Sequence, residues 1–146
     1  MSYIPLDLRH FIVQRARNCC EYCLMPQAEK FFTFPIDHVI AIKHGGETSQ
    51  DNLCLSCPDC NVYKGSDISS LDPVSGQISR LFNPRRDTWI VHFELQGAHI
   101  VPLTIIGRTT ETLLRLNHPQ RVLERMELIA VGRYPSASTS PDIDPR

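Results

Sequence analysis

The chain has 146 residues, which suits one compact domain of about 100–200 residues, and its 42% hydrophobic and 21% charged residues exclude a disordered or fibrous protein. Fifteen Lys and Arg against sixteen Asp and Glu leave a formal charge of −1, so the overall basic signature of a nucleic-acid binder is missing. No apolar run approaches the roughly 18 residues of a membrane helix, and residues 1–5 show neither the basic nor the apolar part of an export signal, so a cytoplasmic protein with no membrane partner is expected.

Residues 6–17 place Leu8, Phe11, Ile12 and Ala16 close to the spacing of an amphipathic helix, with Asp7 as its expected cap. That helix leads into Cys20-Glu21-Tyr22-Cys23, a C-x2-C knuckle. Residues 31–42, FFTFPIDHVIAI, are aromatic and β-branched and predict strand interrupted at Pro35; the polar loop KHGGETSQD follows, with Gly45 and Gly46 paired. Residues 52–55 predict a short strand or turn before a second knuckle, Cys57-Pro58-Asp59-Cys60, and a short helix to Lys64.

Pro73, Gly76 and Pro84 predict an irregular connection over residues 71–87. Residues 89–95, WIVHFEL, alternate as a strand does, and Gln96-Gly97 can turn them into a second strand at 99–103. Thr109 or Thr110 is the expected cap of a helix through Leu116, and Pro119 opens another that reaches Val131. Residues 134–146 are rich in Ser and Pro and are expected to fray. The expected division is a core at 1–70, an accessory hairpin and helices packed on it at 71–134, and a tail at 135–146.

Six cysteines in two tight clusters, with no export signal, are not ordinary disulfides. Two C-x2-C knuckles with 33 residues between them can give four thiolates to one tetrahedral Zn(II), so Cys20, Cys23, Cys57 and Cys60 are the expected structural zinc ligands. A redox role would need one such motif in a thioredoxin-like setting. Cys19 and Cys54 fall outside the spacing and suit small buried positions, although Cys19 could replace Cys20 if the knuckle were shifted. A closed four-thiolate site has no open position for a substrate and defines no activity by itself.

Between and after the knuckles stand Asp37-His38, Asn52, Asn61 and Lys64: an acid, an imidazole, two carboxamides and an amine near one structural zinc, a set able to bind a divalent cation and act on phosphate. Lys64 is a candidate phosphate contact, with an exposed helix-end cation as the alternative. Arg85 and Arg86, in a Pro-bounded loop, are the arginines singled out for phosphate.

In order, DHVIAIKHGG, DNLCLSC and PDCNVYKG resemble the HNH endonuclease family in its variant with paired zinc knuckles, from about Cys20 to Gly65. Asn61 stands where the family name implies a third-position His, which makes this an H-N-N version. The resemblance implies an α+β fold, a zinc-stapled ββα-metal core with an N-terminal helix and a C-terminal β-hairpin plus helices. It also implies that His38 is the general base, that Asn52 holds the loop aiming it, and that Asp37 and Asn61 bind a catalytic Mg(II) or Mn(II), with Ni(II) as a further candidate. Strand alternation sends Asp37 and His38 to opposite faces, so a twist or bulge would be needed for both to serve one site. The implied substrate is DNA, double-stranded in the first instance, cut by a monomer or a homodimer. The rival is a non-catalytic zinc module that binds nucleic acid or protein.

Overall fold

A computed structural model describes residues 3–137; most of the tail expected to fray, from 138 onward, lies outside the described residues. Helix α1 (Leu6–Arg15) buries Ile12 and packs Leu8 and Val13 against the core. Pro5, not Asp7, occupies its N-cap; Asp7 sits in the first turn, where a negative charge suits the helix dipole. The guanidinium of Arg15 donates to the carbonyls of Leu53 (2.7 Å) and Gln50 (2.9 Å), pinning the end of α1 to the strand that follows.

The apolar run at 31–42 forms a strand only at β1 (Ile36–His38), paired antiparallel with β2 (Leu53–Leu55) in the register Ile36 to Leu55, Asp37 to Cys54 and His38 to Leu53. Pro35 has no N–H to offer the ladder, and Phe31 and Phe32 stay exposed, so the pattern overstates the strand. Cys57 caps helix α2 (Pro58–Lys64): its sulfur accepts from Cys60 N, and Pro58 fills the first turn.

The expected irregular connection instead holds a hairpin, β3 (Ser69–Leu71) with β4 (Ile78–Arg80). Its turn is built by buried Asp72, whose carboxylate accepts from Val74 N, Ser75 N and the Ser75 hydroxyl and forks with Arg108 at 2.9 Å on both oxygens. The run predicted as a strand from Trp89 opens as a helical turn, α3 (Trp89–His92), before β5 (Phe93–Gln96) pairs with β6 (His99–Pro102). Gly97, at φ +59°, makes the tight reversal where a side chain would be strained.

Helix α4 (Ile105–Leu113) starts earlier than predicted, because Thr104 caps it by accepting from Gly107 N at 3.0 Å. Thr110 lies inside the helix, and its hydroxyl accepts from Phe82 N. Helix α5 (Pro119–Ala130) ends next to the predicted Val131.

The described residues thus form helices and three two-stranded antiparallel sheets, the α+β class expected. One hydrophobic cluster runs from Ile12, both knuckles, Phe34 and Leu55 to Phe82, Trp89, Phe93, Ile100, Leu116 and Tyr134. Phe82 packs edge-on against Tyr22 and Phe93, joining the two halves of the sequence. Tyr134, placed in the fraying tail by sequence, is buried, and its hydroxyl donates to the Cys23 carbonyl at 2.8 Å.

The Arg108 fork holds the Asp72 carboxyl well below the usual carboxylate range. Its stabilisation is therefore complete above the unfolded pKa of about 3.9 and is lost as pH falls toward the lower folded value. Between about pH 5 and pH 2 the thermal midpoint of the native protein should fall more steeply than that of Asp72→Asn. Parallel curves would remove Asp72 from the acid response.

Candidate functional site

The sulfurs of Cys20, Cys23, Cys57 and Cys60 lie within 4.8 Å of one another, all buried, with Cys23 and Cys57 sulfurs 3.6 Å apart. A tetrahedron with Zn–S of about 2.3 Å has edges of roughly 3.8 Å, so this cluster fits a four-thiolate zinc site. Cys20, and not Cys19, supplies the first ligand. Its sulfur accepts from Tyr22 N and Cys23 N, the turn that a C-x2-C spacing produces. Cys19 and Cys54 are buried outside the cluster; the Cys54 thiol lies against the Tyr22 hydroxyl and Asp37.

The accessory half grips this centre. Arg121 of α5 is 7% exposed and donates to the sulfurs of Cys60 (3.0 Å) and Cys57 (3.6 Å) and to the Leu114 carbonyl (2.7 Å). Burial works against its charge, but the sulfurs of Cys23, Cys60 and Cys57 outweigh burial and hold its pKa above the ordinary value. Sequence reasoning missed this residue. The available signal was Arg121 and Arg125 on the stripe of α5 that also carries Val122, all three buried. Around the first knuckle, Arg85 pairs with Glu21, Trp89 Nε1 donates to the Tyr22 carbonyl (3.0 Å), and Tyr134 holds Cys23.

Asp37 points inward from β1. Its Oδ2 accepts from the Tyr22 hydroxyl at 3.0 Å and lies 3.1 Å from the Lys64 amine, which also donates to the His38 carbonyl at 3.2 Å. Burial pushes the Asp37 carboxyl above its ordinary range, while the Lys64 ammonium and the Tyr22 hydroxyl oppose the shift. Lys64 is the departure from expectation. At 2% exposed it is neither a solvated helix-end cation nor a surface phosphate contact; its amine is engaged inside the protein.

His38 occupies different surroundings. The β1–β2 register continues through it without a bulge, so its ring leaves the face that Asp37 takes and lines an open cleft between α1 and β1, beside Arg9, Ile36 and Ile42. Its Nε2 is 2.9 Å from the Thr48 hydroxyl. Asn52 organises the loop between: its Oδ1 accepts from Ile40 N, and its Nδ2 donates to the carbonyls of Ile40 and Glu47, all at 2.8–2.9 Å. Gly46 lets the loop close on itself, because a Cβ there would lie 1.7 Å from the Ile40 carbonyl oxygen.

Asn61 is half-buried on α2, one turn before Lys64 and on the same helix face. Its carboxamide makes no hydrogen bond among the described residues. Asp37, the other residue expected to hold a divalent ion, faces inward and is neutralised by the Lys64 ammonium 3.1 Å away. Arg85 is not a free phosphate contact: besides Glu21 it donates to the Leu53 carbonyl. Arg86 is exposed and lines a second groove with Arg80, Asp67 and Ile68.

Residues 20–67 match the HNH endonuclease family. That segment contains both knuckles, β1, the Asn52 loop, β2 and α2, the ββα unit closed by the four cysteines. No curated protein and no solved structure matches the chain. No helix among the described residues is long and apolar enough to cross a membrane.

Cys23→Ser should abolish stoichiometric metal content, read by elemental analysis, and lower thermal stability, since structural zinc contributes several kcal/mol to small folds. Arg121→Met should keep the four ligands yet cost about 3 kcal/mol in urea unfolding, because it strips a buried charge partner from the sulfurs. Unchanged stability in both variants would remove the cluster as the organising centre.

Proposed function

We propose that the protein is an HNH-type endonuclease that hydrolyses phosphodiester bonds in DNA with His38 as general base. The observation that carries this reading is the position of His38: an imidazole on the wall of an open cleft, within the family segment, at the end of β1 where the loop organised by Asn52 begins. When Nε2–H donates to the Thr48 hydroxyl, Nδ1 keeps the lone pair. Thr48 then fixes the tautomer, and the free nitrogen takes the proton of a water attacking phosphorus as the bond to the 3′-oxygen breaks.

Asp37 is buried against Lys64 and Tyr22 on the face opposite His38, so the residues present do not fit a divalent ion, Mg(II), Mn(II) or Ni(II), held by Asp37 and Asn61 beside the imidazole, and no step of this reading runs through one. Lys64 acts from inside, by fixing the carboxylate of Asp37 and the backbone of His38. Arg86 remains the outer candidate for the phosphate backbone. One site cuts one strand, and a two-fold dimer would cut both.

Plasmid and oligonucleotide cleavage by the wild type and His38→Ala, with Mg(II), Mn(II) and Ni(II), tests the reading. The variant should lose about 10²–10⁴-fold in rate at unchanged metal content, as general-base removal does. A wild type inactive on every nucleic acid would favour the non-catalytic zinc module.

A further inference from the structure

The cleft beside His38 has an unusual lining for a surface that meets only a duplex backbone. Tyr3, Leu6, Ile36 and Ile42 form its walls, and Arg9 is the one guanidinium among them. Tyr3 is 82% exposed, Leu6 61% and Ile42 51%, so large apolar surface stands open to water directly beside the imidazole. Both walls are held in place: α1 by the Arg15 bonds to Leu53 and Gln50, and the turn carrying Ile42 by the Asn52 bonds to Ile40 and Glu47. Leu6 and Arg9 thus stand on a docked helix and Ile42 on a clamped turn, while Tyr3 precedes α1 at the mouth of the cleft. The Arg9 guanidinium makes no hydrogen bond or ion pair among the described residues.

Intact duplex presents a dense line of phosphates with its bases stacked inside, and recognising it takes many cations. This cleft offers one. An unstacked nucleotide presents a phosphate together with an apolar, flat base, and such a base stacks on aromatic side chains with little regard to its identity. One cation, one exposed ring and apolar walls match that ligand. Open apolar surface beside a candidate base also needs an occupant that displaces water.

We propose that this cleft receives an unpaired nucleotide of the substrate strand, with Arg9 on its phosphate and the Tyr3 ring on its base, so that single-stranded or frayed DNA is bound and cut in preference to intact duplex. The inference rests on the nuclease reading and narrows its substrate from the duplex expected at first.

Binding is measured by fluorescence anisotropy with the zinc-loaded His38→Ala protein, which removes turnover, on a single-stranded oligonucleotide, its duplex and a duplex with a central unpaired bubble. The single strand and the bubble should bind about tenfold tighter than the duplex. Tyr3→Ala in that background should weaken single-strand binding about tenfold and leave its salt dependence unchanged. Arg9→Gln should reduce the slope of log K against log salt by about 0.7, the loss of one phosphate contact on a single strand. Both side chains are surface groups, and matched thermal midpoints verify folding. Duplex bound as tightly as single strand, or two silent variants, would overturn the cleft assignment. If wild type still cuts DNA in that case, the nuclease reading survives alone; if wild type neither binds nor cuts any of the three substrates, both fail.

Discussion

Four sulfurs drawn to one point decide the shape of this protein. Cys20 and Cys23 follow α1, and Cys57 and Cys60 open α2, so closing them on a metal brings together segments 33 residues apart and sets β1 beside β2. The strands are three residues each and could not persist as an isolated hairpin in water. They persist because both ends are fixed: one by the knuckles, the other by the Asn52 clamp. Bound to a metal as thiolates, the sulfurs would concentrate negative charge in the interior, and Arg121, which donates to the sulfurs of Cys57 and Cys60, stands ready to answer it from the far end of the sequence. A guanidinium so buried is stable only with such partners.

A second buried polar group sits one layer away. Asp37, Tyr22 and Lys64 form a closed network in which each charged or hydroxyl group has a partner. It ties the strand to α2 and to the first knuckle at once, and it leaves His38, the next residue, directed to solvent. The boundary between interior and cleft therefore runs between two adjacent residues. Alternation along β1 produces that division without any special backbone geometry.

Much of this was legible in the sequence. The ligand set followed from spacing, because two C-x2-C turns have little other use in a chain of this kind, and helix α5 followed from Pro119 in its first turn. The Gly pair marked the loop locally, whereas Asn52 as its holder came with the family resemblance. What escaped were contacts made at long range. Nothing around Lys64 says that its amine will be buried under β1, and nothing around Arg85 says that it will find Glu21, since both depend on how distant elements dock. The Asp72 hairpin escapes for the opposite reason: DPVSG reads as punctuation, although its Asp builds a turn that two short strands can flank. The strand start at Trp89 shifted because the indole is drawn to the Tyr22 carbonyl.

The first knuckle bears a further implication. Glu21, Tyr22 and Cys23 are each held by a residue from beyond position 80, namely Arg85, Trp89 and Tyr134. The stretch that matches the family is thus not a portable module: excised at its own borders it would keep its ligands but lose every one of these clasps. Grafting it onto another scaffold would require transplanting the surrounding aromatic collar with it.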